Sequence, residues 1–365
     1  MYFHTVIIKL MRMKFRQKVI LGGVVLIIIT FLFIGIKKST SQEFKGSLVA
    51  FYNIENLFDT IDTPGVRDGE FTPEGAKNWN SEKYWDKIEN LGTVLSNIGS
   101  REGFSNPAVI GLCEMENYDV LVDLVNNKNI KDVNYQIVHY DSPDIRGIDV
   151  ALLYRPDVFE FISSRSVPLA LYLDDGTSLH TRDQLVVTGN LDGERMHFIV
   201  NHWPSRYGGE EASRKFRNEA AKLTRALIDS IVDVEPDAKV IMMGDLNDDP
   251  NNESVRKYLN ARDDKNKLKP EQLFNASETL FKQGKGTLKY RGKWNMFDQM
   301  VLTPALVNKD IGGYQYHSFH VFDNPFVLEQ EGRFKGTPFR SYVGKKYLGG
   351  YSDHLAVYLI LIKEI

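Results

Sequence analysis

Six short stretches of carboxylates, carboxamides and imidazoles hold the residue types that could do chemistry in this chain. In chain order they are Asn53-Ile54-Glu55-Asn56, Glu114, His202, Gly244-Asp245-Leu246-Asn247, Asp298 and Ser352-Asp353-His354. Nearly all lie at the ends of apolar, strand-like runs. Such donors suit a hard divalent cation and a phosphate ester. No single stretch is specific, but the ordered set, spread over about 300 residues, indicates one metal-assisted phosphate site.

Spacings of two residues predict which of these side chains lie together. Side chains two apart share a face of a strand, so Asn53 and Glu55 are expected to point the same way, and so are Asp245 and Asn247. Two such pairs would form a pocket of oxygen ligands. Magnesium suits this pocket, since carboxylates so close together repel without a cation and magnesium keeps waters that a phosphate can displace.

The composition is that of an ordinary globular enzyme. The chain has 365 residues, 42% hydrophobic and 12% aromatic, which is enough for one large core or two modest ones. Its single cysteine, Cys113, excludes an intrachain disulfide, leaves the redox compartment open and is most simply a core residue.

An apolar segment precedes the motifs. Residues 19–36 form an uncharged run of 18 residues, which as a helix would reach roughly 27 Å, at the short end for spanning a bilayer. Five basic residues in 1–18 outnumber Lys37 and Lys38, which favours an uncleaved anchor with its N-terminus inside. The alternative is a signal peptide cleaved near residues 39–41. Both interpretations put the remaining chain outside the cytoplasm.

The chain is therefore divided into a basic N-terminal segment at 1–18, an anchor or signal segment at 19–36, a linker at 37–46 and a catalytic domain at 47–365. Residues 1–46 carry a net charge of +7, whereas 47–365 carry −10, with 37 Lys and Arg against 47 Asp and Glu. So acidic a domain would not coat nucleic acid nonspecifically. Local basic groups or a metal ion must meet any polyanion that it handles.

The remaining pattern is that of one α/β domain. Apolar, β-rich runs occur at 48–58, 108–113, 135–140, 149–155, 196–202, 239–244, 297–303 and 354–362. Helical periodicity covers 81–98, with Ser81 as the N-cap and Gly99 past the end, and also 210–232. The mixture predicts packed sheets with outer helices. The segment with His317 and His320 has a spacing usable for zinc but no third nearby ligand, and is interpreted as a loop.

These motifs together resemble the endonuclease/exonuclease/phosphatase superfamily, which includes deoxyribonuclease I. The segments that carry the resemblance are Phe51-Tyr52-Asn53-Ile54-Glu55-Asn56-Leu57-Phe58-Asp59, Glu114-Met115-Glu116-Asn117, His202-Trp203-Pro204-Ser205-Arg206, Gly244-Asp245-Leu246-Asn247-Asp248-Asp249-Pro250 and Ser352-Asp353-His354. The resemblance covers residues 47–362, and the chain looks most like predicted extracellular bacterial nucleases of that group. It implies a four-layered α/β/β/α sandwich of two packed mixed sheets with outer helices, and an active site at one edge of the sheets.

The resemblance implies the metal ligands as well. Glu114 would be the principal ligand, helped by Asn53, Glu55 or Asp353, while Glu116 could replace Glu114. Mg²⁺ is the expected ion, with Mn²⁺ or Ca²⁺ as alternatives, and the number of ions stays open.

Catalytic roles follow from the same resemblance. Asp245 would orient or deprotonate the attacking water, and Asn247 would donate to the charge that develops on phosphorus. His354, held by Asp298, would bind a phosphate oxygen or act as acid or base. His202 would be a second imidazole, and Asp149 is the best nearby candidate to orient its ring.

Substrate contacts rest on weaker features. Arg182 matches a phosphate-contacting arginine, and Arg291 and Lys293 lie in the segment 289–294, which interleaves basic and aromatic residues just before Asp298. A similar segment at 339–347 precedes Asp353. Cations meet phosphates and rings stack on bases in such segments, although solvated loops or contacts to a lipid headgroup would have the same composition.

These inferences predict a metal-dependent phosphodiester hydrolase, a nuclease that cleaves DNA or RNA outside the cytoplasm. Its partners would be nucleic acid, as substrate, and the membrane, through the N-terminal segment; no protein partner can be inferred. One alternative is a sphingomyelinase-like or inositol-phosphate phosphohydrolase. The other is a non-catalytic binding protein on the same fold, against which the intact ligand set speaks.

Overall fold

The computed structural model describes residues 43–365 of the chain. The segments expected at 1–18 and 19–36 lie outside the described residues, as do residues 37–42 of the expected linker. The first strand, β1, begins at Phe44, inside the segment 37–46. Within residues 43–365, no helix has the length and apolarity needed to cross a bilayer.

Strands form most of the regular structure. They are β1 (Phe44–Leu57), β2 (Val109–Met115), β3 (Gln136–His139), β4 (Asp149–Tyr154), β5 (Phe159–Val167), β6 (Leu171–Tyr172), β7 (Ser178–Leu179), β8 (Gln184–Leu191), β9 (Glu194–His202), β10 (Val240–Asp245), β11 (Ala261–Arg262), β12 (Leu273–Asn275), β13 (Leu288–Tyr290), β14 (Lys293–Asn295), β15 (Asp298–Leu302), β16 (Gln315–Val321), β17 (Tyr342–Val343), β18 (Lys346–Tyr347) and β19 (Val357–Glu364).

Helices lie between the strands. The α-helices are α1 (Ser81–Asn97), α2 (Tyr118–Val125), α3 (Glu210–Val232) and α4 (Glu278–Lys282). The short 3₁₀ turns and one π turn are Gly69–Phe71, Ser100–Glu102, Lys131–Val133, Ser254–Tyr258 (π), Pro304–Leu306, Lys309–Ile311, Pro325–Val327 and Gly332–Phe334.

Two mixed sheets form the centre of the domain. The first has the strand order β16-β19-β1-β2-β4-β3, and the second has the order β11-β12-β15-β10-β9-β8-β5. In each sheet one central pair is parallel: β1 with β2, and β10 with β9. Because parallel strands end at the same edge of a sheet, each sheet brings two strand ends together.

The two sheets pack face to face. Val49 and Phe51 of the first sheet and Ile241 and Met243 of the second are buried in the core between them. The alternating residues of the same strands face outward, where α1 and α2 cover the first sheet and α3 covers the second. Burial of each such side chain contributes about 1.5–3 kcal/mol. The expected four-layered α/β/β/α sandwich is confirmed.

Both long helices lie where the sequence placed them. Helix α3 has the expected limits, and α1 ends before Gly99, whose φ is 83°. Ser81 is not the N-cap of α1, however. Asn80 caps the helix, since its side chain accepts a hydrogen bond from the Lys83 amide at 3.1 Å.

The interpretation of His317 and His320 as loop residues was wrong. Both lie in β16, an edge strand of the first sheet, and the His320 ring stacks on Tyr358 with centroids 4.9 Å apart. Because an edge strand is partly exposed to solvent, many of its residues are polar. The alternation of apolar and polar residues that identifies a strand in the sequence is therefore weak there.

Candidate active site

Five of the predicted site residues converge where the central strands of both sheets end. Asn53 lies late in β1 and Glu114 late in β2, while His202 and Asp245 end the parallel pair β9 and β10. Asp298 begins β15, which is antiparallel to β10, and Asp245 is in register with both Asp298 and His202. The Asn53 Nδ2 donates to Asp245 Oδ2 at 3.0 Å and so joins the two sheets at the site.

His354 lies between two buried aspartates. Its Nδ1 is 2.7 Å from Asp298 Oδ2, and its Nε2 faces Asp245 Oδ2 at 3.8 Å. Burial alone would lower the pKa of His354, but the charges of Asp298 and Asp245 outweigh it and raise this pKa well above its usual value. Asp298 therefore holds the His354 ring, as the resemblance implied, and favours its protonated form.

The pKa of His202 shifts in the opposite direction. Its Nε2 lies 3.7 Å from both Glu114 Oε1 and Asp245 Oδ2. Burial, together with the positive charges of Arg182 and Arg146, lowers the pKa of His202 well below its usual value. The site thus pairs two imidazoles whose pKa values shift in opposite directions, and perturbed pKa values are characteristic of functional sites.

Asp149 does not orient His202. One oxygen of its carboxylate lies 2.9 Å from His139 Nε2, and the other accepts from the Ser142 amide at 2.8 Å. The Nδ1 of His202 has no hydrogen-bond partner among residues 43–365. Asp149 and His202 lie on different sheets, which spacing along the chain does not reveal.

Glu55 does not share a face with Asn53. Its Oε2 accepts from the Ser341 amide at 2.7 Å and lies 3.9 Å from the ammonium group of Lys87. The pairing of β1 with β2 shifts after Asn53, and Glu55 has a φ of 50°, so the strict alternation of side chains is lost there. Burial, followed by repulsion from Asp353, raises the pKa of Glu55 to about 7.

Asn247 also departs from the expected arrangement. Its amide donates to Asp245 Oδ1 at 2.9 Å, and its carboxamide donates to the Trp203 carbonyl at 3.0 Å. The chain turns at this point, because Asn247 has a φ of 50°. Asn247 therefore binds the Asp245 carboxylate through its backbone amide, and its side chain does not lie next to Asp245 on one face of a strand.

Four residues at the site adopt left-handed backbone conformations. The φ values of Glu55, Asn56, Glu114 and Asn247 are 50°, 53°, 70° and 50°. Such conformations cost about 1–3 kcal/mol each in side-chain-bearing residues and persist where surrounding contacts enforce them. One of these contacts is visible, since the Asn56 amide donates to Glu114 Oε2 at 3.1 Å.

Glu116 does not replace Glu114. Its carboxylate accepts hydrogen bonds from the Asp59 amide at 2.7 Å and from Thr63 Oγ1 at 3.0 Å. The Glu116 side chain is therefore bound to the loop that follows β1. Burial raises its pKa to about 7. Glu114 is thus the carboxylate of this segment that faces His202.

The three expected substrate-binding residues fall in two places. Arg182 is buried, where its guanidinium donates to Asp144 at 2.8 Å and to the Trp203 carbonyl at 2.8 Å. Arg291 and Lys293 lie on the exposed hairpin of β13 and β14. Arg182 contacts the residue after His202, whereas the Arg291 side chain is exposed to a ligand and Lys293 lies 3.9 Å from Asp249.

Sequence reasoning missed two basic residues that hold the site. Lys87, 1% exposed, donates from Nζ to Ser341 Oγ at 2.8 Å and to the Tyr351 carbonyl at 2.6 Å. A signal for it was present, because Lys87 lies on the apolar stripe of α1, and a buried lysine needs a partner.

Arg206 is the second residue, which belongs to the segment 202–206 of the family resemblance but was given no role from the sequence. Its Nε donates to the Asn247 carbonyl at 2.8 Å, and its Nη2 donates to Asp248 and Asn252, each at 3.1 Å. The guanidinium lies 4.7 Å from the centre of the Phe297 ring. Arg206 therefore fixes the turn that places Asp245.

The donor set fits a hard divalent cation. Burial, with repulsion from Asp298 and Glu114, raises the pKa of Asp245 to about 7 despite the opposing effect of His354. One oxygen of Asp298 is buried without a hydrogen-bond partner in the described part of the chain. Glu114, with Asn53 on the neighbouring strand, would hold the ion. Asp353 lies close enough to Glu55 to perturb its pKa, and both carboxylates are further candidates.

Comparisons with known proteins agree with this architecture. The sequence model of the Endonuclease/Exonuclease/phosphatase family matches residues 48–363. A search of curated protein sequences finds no significant match.

Solved structures of similar fold are only distantly related in sequence. A family protein from Bacteroides thetaiotaomicron is 15% identical, with a TM-score of 0.52 over 89% of this chain and 98% of that one. A mannosyl-6-phosphatase of the same organism is 15% identical, with a TM-score of 0.51 over 86% and 99%. A humanized TDP2 of D. rerio is 16% identical, with a TM-score of 0.50 over 87% and 98%.

At these identities the structural matches establish the fold alone, whereas the family match spans nearly all of the two-sheet domain and every strand end that contributes to the site. The chain belongs to the Endonuclease/Exonuclease/phosphatase family, whose members include phosphodiesterases and phosphatases.

Proposed function

We propose that this chain is a divalent-metal-dependent phosphodiesterase that cleaves nucleic acid. One observation carries the proposal: His354, held by Asp298 at 2.7 Å, faces Asp245 at 3.8 Å, and His202 Nε2 lies 3.7 Å from both Asp245 and Glu114. A negative phosphate would find there a fixed cation, a proton acceptor and a metal ligand within one pocket.

The protein side chains have separable tasks in this chemistry. Bound at Glu114, the metal ion would supply electrophilic stabilisation of the phosphate. Asp245, with a pKa of about 7, is suited to accept a proton from the attacking water. His354 donates a charged hydrogen bond to a phosphate oxygen, and the neutral His202 donates a second one through Nε2, the nitrogen that faces two carboxylates.

Nucleic acid is the favoured substrate because of the hairpin beside the site. Arg291 and Lys293 are exposed there, and the hairpin leads directly into Asp298. Basic and aromatic residues together suit a polymer that has phosphates and bases. Sphingomyelin, inositol phosphates and sugar phosphates would use the same catalytic residues but not the rings of the hairpin.

The location outside the cytoplasm is part of the proposal. It rests on the uncharged run 19–36 and on the excess of basic residues before it. The expressed full chain should fractionate with membranes or appear processed outside the cell. A full-length chain that is soluble in the cytoplasm would contradict this.

A substrate panel tests the activity. The purified full chain would be offered plasmid DNA, a DNA oligonucleotide, RNA, sphingomyelin, inositol phosphates and mannose 6-phosphate, with Mg²⁺, Mn²⁺, Ca²⁺ or EDTA. Cleavage of nucleic acid that EDTA abolishes is the expected result. Cleavage of the lipid or of a phosphate monoester alone would contradict the proposed substrate, and activity in EDTA would contradict metal dependence.

Glu114→Gln tests the proposed metal ligand, and Glu116→Gln is its matched control. The first variant should need at least about tenfold more Mg²⁺ for half-maximal rate, since a ligand charge is lost. The second should resemble the wild type, because Glu116 bonds to Asp59 and Thr63 instead. An unchanged Mg²⁺ requirement in Glu114→Gln would show that the ion binds elsewhere.

A further inference from the structure

A basic groove lies between the β13–β14 hairpin and the loop that precedes β17. Its cavity has a volume of about 550 Å³. The charged residues that line it are Lys289, Arg291, Arg333, Lys335, Arg340 and Glu329. Five cations thus share one small space with a single carboxylate, and we call this cavity the basic groove.

The cations of the basic groove are unpaired. Among residues 43–365, none of the five forms an ion pair with a carboxylate, although other lysines and arginines of this domain commonly do. The domain from residue 47 onward carries a net charge of −10. Because none of the five has an acidic partner, their positive charges repel one another unless an anion binds between them. They also create a local positive electrostatic potential on a domain that is acidic overall.

Two exposed rings accompany the cations. Tyr290 is 60% exposed, and the Arg291 guanidinium lies 5.2 Å from its ring centre. Phe334 is 41% exposed, and the Arg333 guanidinium lies 4.9 Å from its centre. Water-exposed rings of this kind can stack on a planar ligand while the neighbouring guanidinium meets its charge.

Both walls of the basic groove are fixed to the candidate active site. At the base of the hairpin, Thr287 accepts from the Asp298 amide at 3.3 Å and from the Leu355 amide at 2.9 Å. On the other wall, Ser341 follows Arg340 and donates its amide to Glu55 at 2.7 Å. The segments that carry the groove cations are therefore bonded directly to segments of the site.

We propose that the basic groove binds a single-stranded polynucleotide next to the phosphate that is cleaved. The cations meet successive phosphates, and Tyr290 and Phe334 stack on unpaired bases, which a duplex does not offer. This inference rests on the proposed function for its position next to the cleaved phosphate, but binding in the groove does not require hydrolysis.

Binding in EDTA separates the two proposals. The fluorescence anisotropy of a labelled 20-nucleotide oligothymidylate would be followed with the full chain at several salt concentrations. The variants are the double substitution Arg333→Gln with Lys335→Gln, and the single substitution Phe334→Ala. The matched control is Lys128→Gln with Lys267→Gln. It also removes two positive charges, but from exposed side chains outside the groove.

The groove double variant should bind at least about tenfold more weakly, and the slope of log K against log salt should fall by about 1.4, which corresponds to two phosphate contacts on a single strand. Phe334→Ala should weaken binding at least about fivefold with the slope unchanged, because a stacked base is lost but no charge. The control pair should bind like the wild type.

Three results would overturn the inference. The first is unchanged oligonucleotide binding in both groove variants. The second is a loss of oligonucleotide affinity in the control pair as large as that in the groove double variant. The third is a blunt duplex that binds more tightly than the single strand and is weakened to the same extent by Phe334→Ala. Vesicles of phosphatidylcholine with phosphatidylserine form a further arm, and loss of vesicle binding without loss of oligonucleotide binding would assign the groove to lipid instead. Because EDTA silences hydrolysis, absence of nuclease activity would count against the proposed function and leave these binding results intact.

Discussion

Replacing Lys87 by methionine should destabilise the wall of the site that holds Glu55. The ammonium group of Lys87 donates to Ser341 Oγ at 2.8 Å and to the Tyr351 carbonyl at 2.6 Å, and it lies 3.9 Å from Glu55 Oε2. Methionine keeps the length and the apolar body of the side chain but removes these donors and the charge.

The expected loss of stability follows from these contacts. Each buried acceptor left without its donor costs about 1–3 kcal/mol, and removal of one partner from a buried ion pair costs about 3–5 kcal/mol. The pair with Glu55 is a looser contact, and the variant no longer has to desolvate an ammonium. The net cost should be about 2–4 kcal/mol at pH 8, which lowers Tm by about 3–6 °C for a domain of this size.

The loss should depend on pH. Burial raises the pKa of Glu55 from 4.5 to about 7, and Lys87 opposes this rise. A carboxyl whose folded pKa is raised contributes stability below its unfolded pKa and loses it as pH rises through the folded value. Without Lys87 the folded pKa rises further, so the defect of Lys87→Met should be larger at pH 8 than at pH 5.

Thermal unfolding in EDTA would measure this for the wild type, Lys87→Met, Glu55→Gln and the double variant, with the surface substitution Lys128→Met as the control. The defect of Lys87→Met should shrink when Glu55 is already Gln, because the two side chains interact. A wild-type Tm for Lys87→Met at pH 8, or the same defect at both pH values and with Gln at position 55, would refute the reasoning.

Three other substitutions test separate contacts. Asp298→Asn should lower kcat by about 10²-fold or more and lower the upper pKa of the pH–rate profile, because His354 loses the charge that raises its pKa; an unchanged profile would contradict the pairing. Arg206→Lys should lower kcat by about tenfold at constant Tm within a few degrees, because lysine cannot form the fork that holds Asn247; full activity would show that this turn needs no clamp. His197→Gln should reduce the stability that the wild type loses between pH 7 and pH 5, since burial lowers the pKa of His197 and a depressed histidine destabilises the fold as pH falls; identical pH dependence of Tm would count against this.

The order of the motifs and the strand ends was readable from the sequence. Polar residues that directly follow an apolar run, such as Glu114 and Asp245, indicate where a buried strand ends. Asp298 was readable for a different reason, since a carboxylate inside an apolar strand needs a partner, and here it has His354.

The wrong predictions for the site residues have one physical origin. The spacing of residues along the chain does not show where the backbone of a strand bends, or to which sheet each strand belongs. Glu55 turned away from Asn53 because the backbone adopts a positive φ at the bulge of β1. Asp149 was assigned to His202, but the two belong to different sheets. Lys87 comes from a helix that is distant in sequence from its contacts at Ser341, which only the tertiary fold brings together.

The most direct measurement is the initial rate of hydrolysis of bis(4-nitrophenyl) phosphate in Mg²⁺ by the wild type, Asp245→Asn, His354→Ala and the double variant. The two side chains face each other at 3.8 Å and should act on one phosphodiester, so each single change should cost about 10²-fold or more, and the double change much less than the product. Near-wild-type rates in either single variant, with circular dichroism showing an intact fold, would contradict the assignment of this pocket as the catalytic site.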